Sequence, residues 1–579
     1  MKDRRYDFLY EPKTYEGIPC QFNCPVHTDI QEYVRLVSLG RWAESHALIR
    51  ETNPFPSVCA RVCQHPCETG CMRGKLDEAV SIRSIKMAAT EYSVNEINPP
   101  PQSYGTLEKV AVIGAGPAGL TAANDLGKLG YRVTVFEAED HPGGMLRYGI
   151  PAYRLSREVI DKEVEFVKRS GVEIRYGVRV GRDITIPDLL NEYKAVLIAA
   201  GAWKSAKLNV PGEELDGVYH GATFMYKVNS GQPVSLAGKK VVVVGGGFTA
   251  MDVSRTSIRL GAKEVHIVYR RTRDEIPVIE QEVIEAEDEG VTFHYLVAPV
   301  EVVSKDGKTV SGLKLIKNEL GEPDKSGRRK PVPIEGSEFV MDCDIVAPAV
   351  SQNPEQDCID GVGAITLNKW GTIVVDEKSW MTSVPGLFAV GDFITGTQHA
   401  IKVIAEGHSA AVSIDSYLRG FPADFGKKNR DDYKLVDVGG PPGAKAYHYD
   451  GIQRFHNPTL APKLRLSTFR EVELSLTMAD SAMEAKRCFK CNHLWTYLPD
   501  DCIMCSNCVD VCPAACLSIT QITETQRRQW MDGGISLTMQ GITGITINRE
   551  LCIRCGFCSD VCPTDSITFS CYEKAGAAK

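Results

Sequence analysis

The chain has 579 residues, 43% of them hydrophobic and 24% charged, with 66 Lys and Arg against 74 Asp and Glu for a net charge of -8. At roughly 150 residues per domain this predicts about four domains with ample apolar material for several cores, and it excludes disorder as the main state. The acidic balance offers no basic face to nucleic acid or anionic lipid; residues 1–19 lack an apolar export core and no run of about 18 apolar residues occurs, so a soluble cytoplasmic protein is expected. Twenty cysteines in such a chain point to metal or redox chemistry rather than to disulfides. Six lie between Cys20 and Cys71, twelve between Cys488 and Cys571, and only Cys343 and Cys358 between these groups.

The N-terminal cysteines, in PCQFNCP and NPFPSVCARVCQHPCETGC, fit either a zinc or an iron–sulfur site when taken alone. Residues 19–86 resemble the N-terminal cluster domain of the glutamate synthase small subunit and of dihydropyrimidine dehydrogenase. The resemblance implies a helical iron–sulfur domain, here residues 1–97, with two 4Fe-4S clusters held by a C-x2-C-x4-C-x3-C run and a later cysteine group. Cys20 and Cys24 match the second half of that run, but the first C-x2-C is absent from residues 11–18. The family position that often supplies a Gln or Glu ligand is Lys86, a cation without a free lone pair, and Cys59 is its natural substitute.

After the Pro-rich link Asn98-Pro99-Pro100-Pro101, the apolar stretch from Lys109 runs into Gly114-Ala-Gly116-Pro-Ala-Gly119 and a helical pattern, and a second apolar stretch ends in Glu137. This is a dinucleotide fingerprint in its full context. Gly114 permits the tight turn, Gly116 lets backbone approach the pyrophosphate, Gly119 lets helix and strand pack, and Glu137 accepts from ribose hydroxyls. A second copy begins at Val241 with Gly245, Gly247 and Ala250, and its second strand leads into Arg270, Arg271 and Arg273 where the first has an acid. Arginines suit a 2′-phosphate and favour NADP(H) over NAD(H), the bland alternative being a solvated loop.

Further on, Pro385-Gly-Leu-Phe-Ala-Val-Gly391-Asp392 resembles the flavin-disulfide-reductase signature in which the Asp contacts the FAD ribityl chain. With Gly143-Gly144-Met145-Leu146-Arg147-Tyr148 the match is closest to the glutamate synthase small subunit, which implies FAD on the first fold and assigns Gly144 and Arg147 to its site. The expected division is FAD domain 108–235, NAD(P)H domain 236–345 inserted into it, and FAD domain 346–420. A thiol–disulfide reductase needs a cysteine pair beside the flavin, and Cys343 and Cys358 do not make one. His399, close to Asp392, is read as a flavin neighbour or helix-start residue, and the twelve histidines show no metal-binding spacing.

Residues 421–498, rich in Pro and Gly, read as a covering linker, and they contain the orphaned pair Cys488-Phe-Lys-Cys491. Folding back would let this pair complete one N-terminal cluster with Cys20 and Cys71, leaving Cys24, Cys59, Cys63 and Cys67 for the other. Residues 499–579 carry Cys502, Cys505, Cys508, Cys512-Pro and Cys552, Cys555, Cys558, Cys562-Pro. Each is a C-x2-C-x2-C-x3-C-P run, the two-cluster ferredoxin pattern in which the fourth cysteine ligates the other cluster; a zinc site is the weaker alternative. Cys516, Cys571, Cys343 and Cys358 are left as small buried hydrophobes.

The expected fold is multidomain: a helical iron–sulfur domain, two Rossmann-like α/β domains of flavin-disulfide-reductase type, and an α+β ferredoxin-like domain. The expected protein is an electron-transfer subunit linking NAD(P)H, FAD and four 4Fe-4S clusters to a partner in a hetero-oligomer. A 2-oxoacid:ferredoxin oxidoreductase, a glutamate synthase large subunit or a ferredoxin would serve as partner, because no substrate barrel fits between the nucleotide and ferredoxin parts. A free-standing ferredoxin:NADP oxidoreductase and a non-catalytic wiring subunit are the alternatives.

Overall fold

Helix breakers recur through residues 18–93, and after each break the sequence supplies a new start signal. α1 (Pro19–Asn23), α4 (Pro56–Val62) and α5 (Pro66–Thr69) open on proline. Asp29 caps α2 (Ile30–Ser38) by accepting from the Glu32 N–H at 3.1 Å. α3 (Trp42–Thr52) and α6 (Ile82–Glu91) complete the bundle. The computed structural model describes residues 18–93, 107–323, 327–421, 433–437, 451–489, 491, 493–497, 501–521, 543–548 and 551–574. Backbone alone is described for 433–437, 493–497, 520–521, 543–544, 546–547 and 568–574.

β1 (Lys109–Ile113) is buried almost throughout, as befits a strand covered on both faces. It leads into α7 (Pro117–Lys128) and pairs in parallel with β2 (Arg132–Phe136) and β4 (Ala195–Ile198). β3 (Glu173–Arg175) joins β2, and Leu387–Ala389 joins β4 to close a five-stranded parallel sheet. Between these last two strands in sequence lies a second parallel sheet, ordered Ile345–Pro348, Lys240–Val244, Glu264–Tyr269, Thr292–Tyr295. The second nucleotide fold therefore interrupts the first. Four antiparallel strands within residues 297–342 extend it, a feature the sequence patterning did not resolve.

The helical bundle and the five-stranded sheet fold share one apolar core, in which Ile49, Phe55 and Ile85 belong with Val110, Val112 and Leu126. Arg50 strengthens the seam: it pairs with the fully buried Glu163 at 2.5 Å and lies 4.1 Å over the Phe166 ring. The helix Ala400–Arg419 crosses α7 at Gly407, where a Cβ would come within 2.5 Å of the Ala118 carbonyl oxygen.

A buried ionic network joins the two nucleotide folds. Arg154 pairs with Asp252 at 2.9 Å and with Glu282 at 2.7 Å. Arg255, 1% exposed, reaches Glu282, Glu285 and Glu289 at 3.2, 2.9 and 2.8 Å. The expected linker proves partly to be a fixed strap: Arg454 pairs with Glu68 at 2.7 Å, Glu473 with Arg83, and Arg487 with Asp77 at 3.0 Å. Residues 433–437 and 493–497 pair antiparallel on either side of Ile567–Lys574, so the linker also contributes two strands to the C-terminal sheet. Among the described residues, no helix is long and apolar enough to cross a membrane.

Candidate functional site: a dinucleotide cavity and four sets of thiols

A cavity of about 580 Å³ opens at the carboxyl ends of the first sheet and is lined by Gly114, Gly116, Glu137, Gly144, Gly391 and Asp392. The local backbone explains why these are glycines. Gly114 has φ +102°, and a Cβ there would lie 2.5 Å from the Ala199 carbonyl oxygen. Gly119 does not line the cavity; it lets α7 pass within 2.2 Å, measured from a Cβ position, of the Gly114 carbonyl oxygen. A Cβ on Gly116 would meet nothing within 4 Å, which leaves room for a pyrophosphate at the start of α7. Glu137 accepts from the Ala115 N–H at 2.7 Å and the Glu139 N–H at 2.9 Å, and burial raises its carboxyl above the ordinary value. Burial pushes Asp392 up to about 7, against a hydrogen bond from the Gln398 N–H at 2.9 Å. Ribose and ribityl hydroxyls are the donors such buried carboxylates want, so the donor set fits FAD. Replacing Gly114 with Ala is expected to cost about 1–3 kcal/mol through overpacking and to lower the flavin content, checked by absorbance and unfolding of the purified chain.

Arg147 departs from its expected role. It does not line the cavity; its Nε donates to the Pro142 carbonyl at 2.7 Å and its guanidinium pairs with Asp161, fixing the loop that carries Gly144. His399 both precedes the helix Ala400–Arg419 and lines the cavity. Cys343 and Cys358 lie in separate apolar clusters, each pushed by burial up to about 12, so they form no redox dithiol.

In the second fold, Gly245 has φ +141° with the Ala349 carbonyl 2.4 Å from a Cβ position, and Gly247 faces open space as Gly116 does. Ala250 is fully buried in the following helix. Of the three arginines only Arg270 is exposed. Arg271 is 4% exposed with its Nε on the Arg329 carbonyl at 2.7 Å, and Arg273 pairs with Glu280 and Glu287 at 2.7 and 2.6 Å. Position along a motif could not say where each of these guanidinium groups turns.

The cysteines gather in four places. Cys20, Cys71, Cys488 and Cys491 surround one small cavity with Ile30, Val34 and Phe489. Burial first, then the charges of Cys488, Cys491 and Cys71, push the Cys20 thiol well above its ordinary value. Four thiolates in an apolar pocket need cationic metal between them. Cys24, Cys59, Cys63 and Cys67 stand together around the Lys86 side chain, whose charge interacts with all four. Cys502, Cys505, Cys508 and Cys562 line a third cavity, and Cys512, Cys552, Cys555 and Cys558 a fourth. Among the described residues no three His, Cys, Asp or Glu side chains close on a single metal ion.

Cys516 is more than a core filler. It lines the fourth cavity with its Sγ 3.4 Å from that of Cys512. The side chain of Cys571 lies outside those described.

Sequence reasoning missed the joints between these places. Val62 and Gln64, flanking Cys63, line the dinucleotide cavity, and the Gln64 Nε2 is buried without a hydrogen-bond partner. Cys20 interacts electrostatically with Cys67 of the neighbouring set. The Arg554 Nη1 donates to the Cys491 carbonyl at 2.6 Å, and Phe489 and Cys491 pack with Ile553 and Cys555. Cys502, Cys508, Cys512, Cys552 and Cys558 meet in one further apolar cluster, and Cys505 is exposed.

A nucleotide-binding fold interrupted by a second one, with glycine loops at both and a buried Asp beside the first, defines a flavoprotein oxidoreductase. The chain belongs to the pyridine nucleotide-disulphide oxidoreductase family, whose model matches residues 108–409. Residues 15–97 match the 4Fe-4S domain II of dihydropyrimidine dehydrogenase, and residues 501–566 a 4Fe-4S dicluster domain. Among its relatives, the NADP(+)-dependent formate dehydrogenase subunit beta of Moorella thermoacetica is 41% identical over 505 residues, 83% of this chain and 71% of that protein. The NADPH-Fe(3+) oxidoreductase subunit beta of Geobacter sulfurreducens is 37% identical over 514 residues, 82% of this chain and 75% of that protein. The NADPH glutamate synthase small chain of Azospirillum brasilense is 37% identical over 422 residues, 70% of this chain and 87% of that protein. The chain is thus an NADPH-type iron–sulfur flavoprotein oxidoreductase of the glutamate synthase small-subunit kind, extended by a ferredoxin-like domain.

Proposed function

We propose that the chain is the NADPH-handling subunit of a larger oxidoreductase and conducts electrons between its flavin and a partner along four 4Fe-4S clusters in single file. FAD, when bound, exchanges hydride with the nicotinamide and single electrons with iron–sulfur centres. The observation that carries the reading is the order of the thiol sets. Cys24, Cys59, Cys63 and Cys67 adjoin the dinucleotide cavity through Val62 and Gln64; Cys20, Cys71, Cys488 and Cys491 come next; then Cys512, Cys552, Cys555 and Cys558 across the Arg554–Cys491 contact. Cys502, Cys505, Cys508 and Cys562 end the series at the exposed Cys505, where a redox partner would dock.

Gly114, Gly116, Gly144, Glu137 and Asp392 would hold FAD, and Gly247 with Arg270 would take the nicotinamide dinucleotide. Relatives that are beta subunits or small chains support a catalytic partner that supplies the organic substrate; a formate-oxidising partner is the first to try, since the 41% identical relative is a formate dehydrogenase subunit. If Arg270 reads the 2′-phosphate, Arg270→Ala raises the KM for NADPH by roughly 10- to 100-fold, the worth of one charge-assisted hydrogen bond, and leaves NADH almost untouched. Steady-state kinetics with both nucleotides checks this.

The deciding experiment is anaerobic purification from the native source with iron, flavin and co-purifying chains counted. About sixteen irons, one FAD and a second enzyme attached support the reading. A lone chain with the same cofactors favours a free-standing ferredoxin:NADP reductase, and about eight irons contradict the N-terminal assignment.

A further inference from the structure

Lys86 is a buried cation without a counter-anion of its own. It lies on α6, which packs against α4, the helix that carries Cys59 and ends just before Cys63. The residue is 5% exposed, and among the described residues no carboxylate or hydrogen-bond acceptor pairs with its Nζ, which stands 6.0 Å from the Tyr33 ring. Its charge acts on Cys24, Cys59, Cys63 and Cys67 together. The other charges around these thiols are matched: Glu68, near Cys67, pairs with Arg454 at 2.7 Å, and Arg83, near Cys63, pairs with Glu473. The next thiol set differs in its cations: Arg73, which lines the cavity, is already neutralised by Asp77 at 2.5 Å, and Arg554, whose charge reaches Cys491, stands outside the cavity on the Cys491 carbonyl at 2.6 Å.

An unpaired ammonium in an apolar interior costs several kcal/mol unless an anion stands beside it. A cubane with four thiolate ligands is a net anion in both redox states and gains one negative charge on reduction. A fixed positive charge next to it therefore favours the reduced state more than the oxidised one. The cation also disfavours ligation at its own position, which agrees with four cysteines being present.

We propose that Lys86 is the fixed counter-cation of the group held by Cys24, Cys59, Cys63 and Cys67, and that it holds this group's one-electron potential above that of the group held by Cys20, Cys71, Cys488 and Cys491. The group beside the flavin then becomes a shallow electron trap, able to take one electron of a pair while the other moves on. This inference rests on the cluster assignment made above.

The test uses the full chain, purified anaerobically, with Lys86→Met, Lys86→Gln and Lys86→Arg, iron analysis, and redox titration followed by EPR. The signal of interest is the one missing from Cys59→Ala. In the neutral variants with iron unchanged, the one-electron equilibrium is expected to move toward the oxidised form by at least about tenfold, which is about 59 mV, while Lys86→Arg stays near the parent. Loss of iron from both neutral variants but not from Lys86→Arg also supports a counter-cation. An unmoved potential with full iron, an equal shift in Lys86→Arg, or iron loss from all three variants overturns the inference. About eight irons in the unsubstituted chain overturns the cluster assignment itself, and the inference with it.

Discussion

Replacing Cys488 and Cys491 together with Ser is expected to remove about four of roughly sixteen irons while leaving FAD and the ferredoxin-like pair in place. These two cysteines supply half the thiols around a cavity whose other half, Cys20 and Cys71, comes from the opposite end of the chain. NADPH should still bleach the flavin in this variant, because Gly114, Gly116 and Asp392 lie on the far side of Cys24, Cys59, Cys63 and Cys67. Electron delivery to an external acceptor at the Cys505 end should fall to the level of the flavin domain alone. Iron analysis, absorbance and acceptor reduction on one sample check all three statements. Finding the full iron content would mean that the pair is no ligand, and finding undiminished delivery would mean that electrons bypass this set.

The second large effect is on stability. Arg255→Met should destabilise the inserted nucleotide domain by about 3–5 kcal/mol, because it leaves the buried Glu285 without a cation beside Glu282 and Glu289, which keep only Arg154 and Arg259. The partly exposed Arg273, with two carboxylates at 2.7 and 2.6 Å, is the matched control, and Arg273→Met should cost less than about 1 kcal/mol. Thermal unfolding of the two variants side by side distinguishes a buried network from a solvated one. Equal midpoints would show that burial of Arg255 does not matter.

Much of this molecule is legible before any coordinates, and the reason is locality. Gly114 and Gly119 must be glycine because of atoms within the turn or at the end of the adjacent strand, and Gly116 between them keeps the start of α7 open, so their spacing carries the fold. The same holds for the two C-x2-C-x2-C-x3-C-P runs, where three thiols sit in one loop. The fold-back of Cys488 and Cys491 could be reasoned from a missing half-motif, although the strap that delivers it could not. That strap is held by charges such as Glu473 and Arg487, whose partners Arg83 and Asp77 lie hundreds of residues away and leave no periodic trace.

Side-chain direction is the other thing a motif withholds. Arg147 and Arg271 both sit where a cofactor residue was expected, yet each donates to a backbone carbonyl and braces the loop instead. Conversely, Gln64 carried no signal beyond its place next to Cys63, and only the fold shows that it lines the dinucleotide cavity.

The strap also bears on how the protein is made. Cys491 leaves the ribosome 471 residues after Cys20 (from position 20 to position 491), so at about 5–20 residues per second the pocket they share stays open for roughly 25–90 s of translation. The set of Cys24, Cys59, Cys63 and Cys67, by contrast, emerges within a single early stretch. On the proposed assignment the first of the two neighbouring pockets is complete long before the second, and truncation between the helical bundle and residue 488 would yield a chain that has all four thiols of the first pocket and only two of the second.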